Sequence, residues 1–148
     1  MDGLIVTPMT ADHLDAVTEM ERVCFSTPWS RKSFEDGLAN TFTQSYFTAL
    51  LGGEVVGYMC LFHLFEEGEL LNIAVSPEKR GLGIGKAMMD TMFSYLKNKN
   101  VSRITLEVRE SNTAAKSLYT RSGFAPIAIR KNYYTAPLEN GIVMETHV

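Results

Sequence analysis

Arg80-Gly81-Leu82-Gly83-Ile84-Gly85-Lys86 is the stretch of this chain best suited to holding an anion. Glycine lets a backbone come close to a phosphate. A helix starting beside it adds unpaired N–H groups and the positive end of its dipole. The same pattern also serves as a plain strand-to-helix turn. Spacing excludes two phosphate motifs. A Walker loop needs four residues between its glycines and a hydroxyl after the lysine; Gly81 to Gly85 is one residue short, and Ala87 stands at the hydroxyl position. A dinucleotide fingerprint starting at Gly81 needs glycine where Lys86 stands, and it belongs after the first strand rather than in mid-chain.

Glu107 is the carboxylate within the alternating run Ile104–Val108, where Ile104, Leu106 and Val108 face one way and Thr105 and Glu107 the other. A carboxylate so placed can take a proton from an amine. On position alone it reads first as a solvent-facing strand glutamate. Tyr119 lies 119 − 107 = 12 residues further on, in a segment of helical spacing. Its phenol can donate a proton or pack in a core. Trp29, the only tryptophan, sits in the loop Cys24–Ser30, where a large aromatic more often marks a contact than a core. Glu66, Glu67 and Glu69 form a short acidic run that would attract a basic peptide or simply solubilise a loop.

These residues need elements to position them. Leu4-Ile5-Val6 reads as a strand. Leu14, Val17, Met20 and Cys24 fall at helical spacing after Thr10, and Ser30 caps a second helix carrying Phe34 and Leu38. Tyr46–Leu51 and Glu54–Phe65 flank Gly52-Gly53 as a hairpin. A break at Glu66-Glu67-Gly68 precedes a strand over Leu70–Val75. The glycine loop then opens a helix with Ile84, Met88, Met92 and Leu96 in step. The Ile104–Val108 strand follows, then a helix from about Thr113 to Gly123. Strands near Ala125–Tyr134 and Gly141–Thr146 close the chain around a turn at Pro137–Gly141. The order β-α-α-β-β-β-α-β-α-β-β predicts antiparallel pairs at both ends and parallel strand-helix-strand crossovers between them.

The 148 residues correspond to one domain, 1–148, and 45% hydrophobic with 21% charged residues excludes a disordered chain, a collagen-like fibre or a coiled coil. A net charge of −3 carries no nucleic-acid footprint. Cys24 and Cys60 form no CxxC pair, and His13, His63 and His147 share no ligand spacing with them, so we expect reduced thiols and no metal. No run approaches the ~18 apolar residues of a membrane span. The start Met1-Asp2-Gly3 has no secretory pattern, so a cytoplasmic location is expected.

Two motifs in order, Arg80-x-x-Gly83-x-Gly85 and then Asn112-x-x-Ala115-x-x-Leu118-Tyr119-x-x-x-Gly123-Phe124, resemble the GNAT superfamily of N-acetyltransferases over essentially the whole chain. The resemblance implies an α/β fold: a mixed, mostly antiparallel sheet of six to seven strands, helices on both faces, and a splayed parallel pair at the acetyl-CoA site. It implies acetyl-CoA as co-substrate. Ile73, Ala74 and Val75 would pair with its pantetheine. Gly81, Leu82, Gly83, Ile84 and Gly85 would hold its phosphates, with Lys86 and Arg80 adding charge, although Arg80 serves equally as a solvated loop residue. Asn112 and Lys116 would complete the cofactor contacts, Asn112 by bonding the pantetheine or ordering the loop around it. Glu107 would be the base, Tyr119 the acid, and the N–H near Val75 an oxyanion donor.

Further pieces narrow the resemblance. Cys24–Ser30, Leu71-Asn72-Ile73-Ala74-Val75, Leu106–Arg109 with Ser111-Asn112, Tyr133-Tyr134 and Ile142–Glu145 are similar to segments of the bacterial ribosomal-protein-alanine N-acetyltransferases. This implies a protein N-terminus as acceptor, the N-terminal alanine of a small-subunit ribosomal protein, held between Trp29, Tyr133 and Tyr134. We expect a monomer or weak homodimer. An acidic residue expected near Asn140-Gly141 is missing there. Two alternatives remain at this level: the same chemistry on lysine side chains or a small-molecule amine, and an acyl-CoA-binding regulator without catalysis. An intact Glu107 and Tyr119 argue against the latter.

Overall fold

The computed structural model describes residues 2–148, so Met1 of the N-terminal reading lies outside the described residues. In chain order the elements are β1 (Leu4–Pro8), α1 (Leu14–Cys24), α2 (Arg31–Ala39), β2 (Gln44–Leu51), β3 (Glu54–Leu64), β4 (Glu67–Val75), α3 (Ile84–Asn98), β5 (Arg103–Arg109), α4 (Thr113–Arg121), β6 (Ala125–Thr135) and β7 (Leu138–His147). One seven-stranded sheet carries them in the order β1-β2-β3-β4-β5-β7-β6. Every neighbouring pair is antiparallel except β4 and β5.

Helices cover both faces. The stripe Ile84, Met88, Met92 and Leu96 of α3 packs against Phe47, Met59, Leu61, Leu70, Ile104 and Leu106. Burying each such side chain is worth roughly 1.5–3 kcal/mol. On this face α4 sits close to α3, because Gly85 leaves room for Leu118. The opposite face holds Leu14 and Val17 of α1 and Phe34 of α2 against Tyr46, Tyr58, Cys60 and Ala74. The Ser30 side chain caps α2 by accepting from the Ser33 amide, as its position predicts.

Three expectations are corrected. The acidic run is not a loop: β4 begins at Glu67, which pairs with Arg103, and Gly68 fits under Val101 and Leu96 where a side chain would crowd. The last turn is tighter than Pro137–Gly141, since β7 starts at Leu138 and pairs there with Thr135. Only the first crossover gives adjacent parallel strands. β7 inserts between β5 and β6, so the second crossover skips a strand.

Candidate active site

The site begins where the parallel pair stops. β4 and β5 are in register from Glu67↔Arg103 to Leu70↔Leu106, and no further. On its other edge β4 stays paired with β3 up to Gly57↔Val75, with a register shift at Cys60/Leu61 that leaves Leu71 as an extra residue. Such a bulge bends a strand and increases its twist. β5 meanwhile keeps its antiparallel partner β7 as far as Arg109. The two strands therefore diverge, and the β4 edge from Leu71 to Val75 faces a gap.

The Ser76 amide donates 2.8 Å to the Val56 carbonyl. Backbone groups alternate along an antiparallel edge, so the N–H and C=O of neighbouring Val75 point the other way, into the gap. Ile73 shares that orientation, and Ala74 lies between them with its side chain in the core. Open backbone groups of this kind can receive the amides of an extended ligand as an added strand would. Arg80 does not point along the loop: its Nε donates 3.2 Å to the Val75 carbonyl and its Nη2 lies 3.6 Å from Cys24 Sγ.

The glycine loop follows. Gly81 and Gly83 have φ of +79° and +85°, which a side chain would strain, and a Cβ at either would meet open space. Gly83 is the N-cap of α3, and the exposed Leu82 lies between the two glycines. Ile84 is instead buried in the core, and Lys86 pairs at 2.9 Å with Asp90 one turn along. The bare backbone at this helix start fits a pyrophosphate, and the open β4 edge fits a pantetheine arm. Asn112 caps α4, its Oδ1 accepting from the Ala115 amide at 3.1 Å, so it orders the loop; half-exposed Lys116 stands on the first turn of that helix.

Glu107 projects from β5 away from buried Leu106 and Val108, onto the face of α1 and α2. There it opens into a groove of about 500 Å³ whose lining includes Glu69, Thr105, Ile127, Arg130 and Val143. Its Oε1 lies 3.2 Å from Arg130 Nε. The Tyr133 hydroxyl lies against the same carboxylate, which pushes the phenol up to about 12. Tyr119 stands on the other side of the sheet, 5% exposed and edge-on to Phe124 at 6.0 Å between centroids. Burial raises its pKa, and so does neighbouring Tyr134, which keeps the proton on the phenol. Tyr134 links the two sides: its own pKa is raised by burial and then by Glu107, and it sits under Arg109 at 4.5 Å.

Arg109 fixes the hairpin that carries the tyrosine pair. It bonds the carbonyls of Ala136 and Pro137 and the Glu139 carboxylate, and its Nη2 reaches Ser26 at 3.5 Å. Ser26 in turn donates to the Ala136 carbonyl, so the loop after α1 meets the β6–β7 turn. Glu139 is held low by Ser111 and Arg109; Asn140 accepts from the Asn132 amide and donates to Glu110. Trp29 is not brought to Tyr133-Tyr134 as a free contact. It is half-buried on Phe34 and Tyr46, at 5.3 and 6.4 Å.

One residue of the site escapes the sequence reading. Glu21 on α1 is 1% exposed. It accepts from the Tyr58 hydroxyl at 2.5 Å, from Asn72 at 2.7 Å and from the Trp29 amide at 2.9 Å. It thus ties the acceptor-side loop to β3 and β4. A lone acidic residue at the inward helical step from Leu14 and Val17 was the available clue.

A sheet opened between two parallel strands, a glycine-rich helix start at the opening and a carboxylate on the adjoining strand define an acyl-CoA-dependent N-acetyltransferase. Residues 14–124 match the acetyltransferase (GNAT) family, and the chain belongs to it. Its co-substrate is acetyl-CoA. The chain is 33% identical to the ribosomal protein bS18-alanine N-acetyltransferase of Haemophilus influenzae, over 97% of this chain and 99% of that one. The crystal structure of the ribosomal-protein-S18-alanine N-acetyltransferase from Escherichia coli superposes with a TM-score of 0.90 at 29% identity, covering 98% and 94% of the two chains. Ard1 from Thermoplasma volcanium shares the fold, with a TM-score of 0.91 at 23% identity over 99% and 98%.

Proposed function

We propose that this enzyme acetylates the α-amine of an N-terminal alanine on a small-subunit ribosomal protein. What supports the acceptor is the likeness, across nearly the whole chain, to enzymes named for that reaction. The position of Glu107 supports the chemistry: a carboxylate on β5, beside the gap and open to a groove. Acetyl-CoA supplies the acetyl group as a thioester. Glu107 takes the proton that the acceptor ammonium must lose, directly or through a water. The Val75 N–H points toward the developing oxyanion. Tyr119 holds the proton that the departing sulfur needs.

Tyr133, Tyr134 and the Cys24–Ser30 loop wall the acceptor end, with Trp29 as the loop's anchor in the core. Ile73, Val75, Gly81, Leu82, Gly83, Gly85, Asn112 and Lys116 line the path for the cofactor. Ile84 and Ala74 act from behind as packing. No helix among the described residues is long and apolar enough to cross a membrane. A ribosomal-protein acceptor places the activity in the cytoplasm.

The test uses two peptides with acetyl-CoA, read by mass spectrometry. One has a free N-terminal alanine and basic residues; its twin is N-terminally blocked with an internal lysine. Acetylation of the first alone is expected. Acetylation of the lysine twin alone would overturn the acceptor assignment.

A further inference from the structure

The groove beside Glu107 contains charge that the transfer step leaves unassigned. Arg130 sits on exposed β6, and its Nε holds Glu107 Oε1 at 3.2 Å while its guanidinium lies over the Tyr133 ring at 5.6 Å. The Glu107 carboxylate, which lines the groove, is where an acceptor ammonium would deliver its proton. A guanidinium in the same place excludes it. Arg103, the other cation lining the groove, is committed to Glu145 at 2.6 Å and Glu67 at 3.3 Å. Glu69 lines the groove too: it pairs with Thr105, two residues before Glu107 on the same face of β5. It is half-buried and, among the described residues, has no hydrogen-bond or ion-pair partner within reach of its carboxylate. Burial first, and then the Glu107 charge, raise its pKa, while Arg130 acts in the opposite sense.

We propose that Arg130 is a displaceable stand-in for the acceptor ammonium: it occupies Glu107 in the acceptor-free enzyme and moves to Glu69 when the amine arrives. This rests on the reading of Glu107 as the acceptor's base. The groove then exchanges one cation for another, and the incoming amine leaves Glu69 with the partner it lacks beforehand. Before binding, Arg130 neutralises Glu107; afterwards the ammonium lies on Glu107 and the guanidinium on Glu69. Arg130 is a positioning residue in this scheme and Glu69 its alternative partner. The pair is exposed enough to be exchanged: the Arg130 side chain is 56% accessible and that of Glu107 21%. An ion pair of that exposure is weak, so a substrate can displace it.

The test is steady-state kinetics on the free-alanine peptide for Arg130→Met, Glu69→Gln and the double variant. Arg130→Met keeps the stem on Tyr133 and removes the competitor, so KM for the peptide falls about two- to fivefold at low salt. Glu69→Gln leaves the guanidinium nowhere to go, so KM rises by a similar factor. In the double variant the Glu69→Gln effect disappears, because there is no guanidinium left to receive. A raised KM in Arg130→Met, or an undiminished Glu69→Gln effect in its background, overturns the proposal. Wild-type inactivity on the peptide would instead fail the acceptor assignment. The exchange would then be read from the Arg130 Nε–H resonance. Release by methylammonium but not by potassium at equal ionic strength upholds it, and no release overturns it.

Discussion

Two glutamates on the same face of the sheet, Glu21 and Glu107, show how this fold separates holding from reacting. Glu21 is sealed at 1% exposure and accepts from three donors on three different segments. A buried carboxylate is tolerable only when its lone pairs are used this fully. Glu107 keeps a fifth of its side chain open and has an arginine partner that solvent can reach. The first is fixed because the cost of unpairing it is high. The second is useful because that cost is low. The loop that Glu21 pins is tied through Ser26 to the β6–β7 turn, and Arg130 of β6 reaches Glu107, so the fixed carboxylate and the open one lean on the same hairpin.

Replacing each carboxylate breaks this comparison in a different observable. Glu107→Gln should lower kcat/KM by about 10²–10⁴, the usual worth of a positioned base, with acetyl-CoA binding and Tm unchanged. Unchanged turnover would remove Glu107 from the reaction. Glu21→Ala should act on the fold. It leaves the Tyr58 hydroxyl, the Asn72 amide and the Trp29 N–H without their acceptor, which costs on the order of 3 kcal/mol. For a chain of this size that lowers Tm by roughly 6–12 °C, measurable by thermal unfolding. A normal Tm with lost activity would mean that Glu21 reacts rather than holds. Glu21→Gln keeps the shape and one acceptor, and should fall between.

The glycine loop offers a smaller test. Gly81→Ala and Gly83→Ala each force a side chain into a left-handed conformation, at about 1 kcal/mol apiece in unfolding free energy. Both added methyl groups face open space. If the loop holds the cofactor, acetyl-CoA affinity falls as well. Stability loss without weaker acetyl-CoA binding would reduce the loop to a turn.

What the sequence made legible follows the same division. The periodic elements were readable because one residue type recurs at one spacing, as in the α3 stripe from Ile84 to Leu96. The order of elements and the position of Glu107 on an alternating strand came the same way. The stretch around Glu69 reads as a loop because acidic residues and Gly68 resemble a break; only the pairing of Glu67 with Arg103 and the packing over Gly68 show a strand. Glu21 was invisible because its worth lies in Tyr58, Asn72 and Trp29, which are far away in sequence. The insertion of β7 beside β5 likewise depends on long-range pairing that no local pattern encodes.

A third polar group, His63, tests whether committed groups away from the groove behave like Glu21. It is 8% exposed on β3, with Nε2 2.9 Å from Ser45 Oγ, and Ser45 is 2.6 Å from the Tyr95 hydroxyl. Lys99 lies over the same Tyr95 ring at 5.5 Å. Burial, and then the Lys99 charge, lower the His63 pKa below its ordinary 6.5. The unfolded chain therefore takes up the proton first as pH falls. The stability contributed by neutral His63 is full above the ordinary histidine value and is lost as pH drops through the lower folded one. Urea midpoints should fall as pH drops below the ordinary histidine value of about 6.5, above the carboxylate range that Glu139 and Glu145 extend further down. His63→Gln removes the titration and should flatten that slope while leaving transfer intact, since β2, β3 and α3 place the cluster away from the groove. An equal slope in His63→Gln would assign the acid sensitivity to other groups and remove His63 from the set of committed residues.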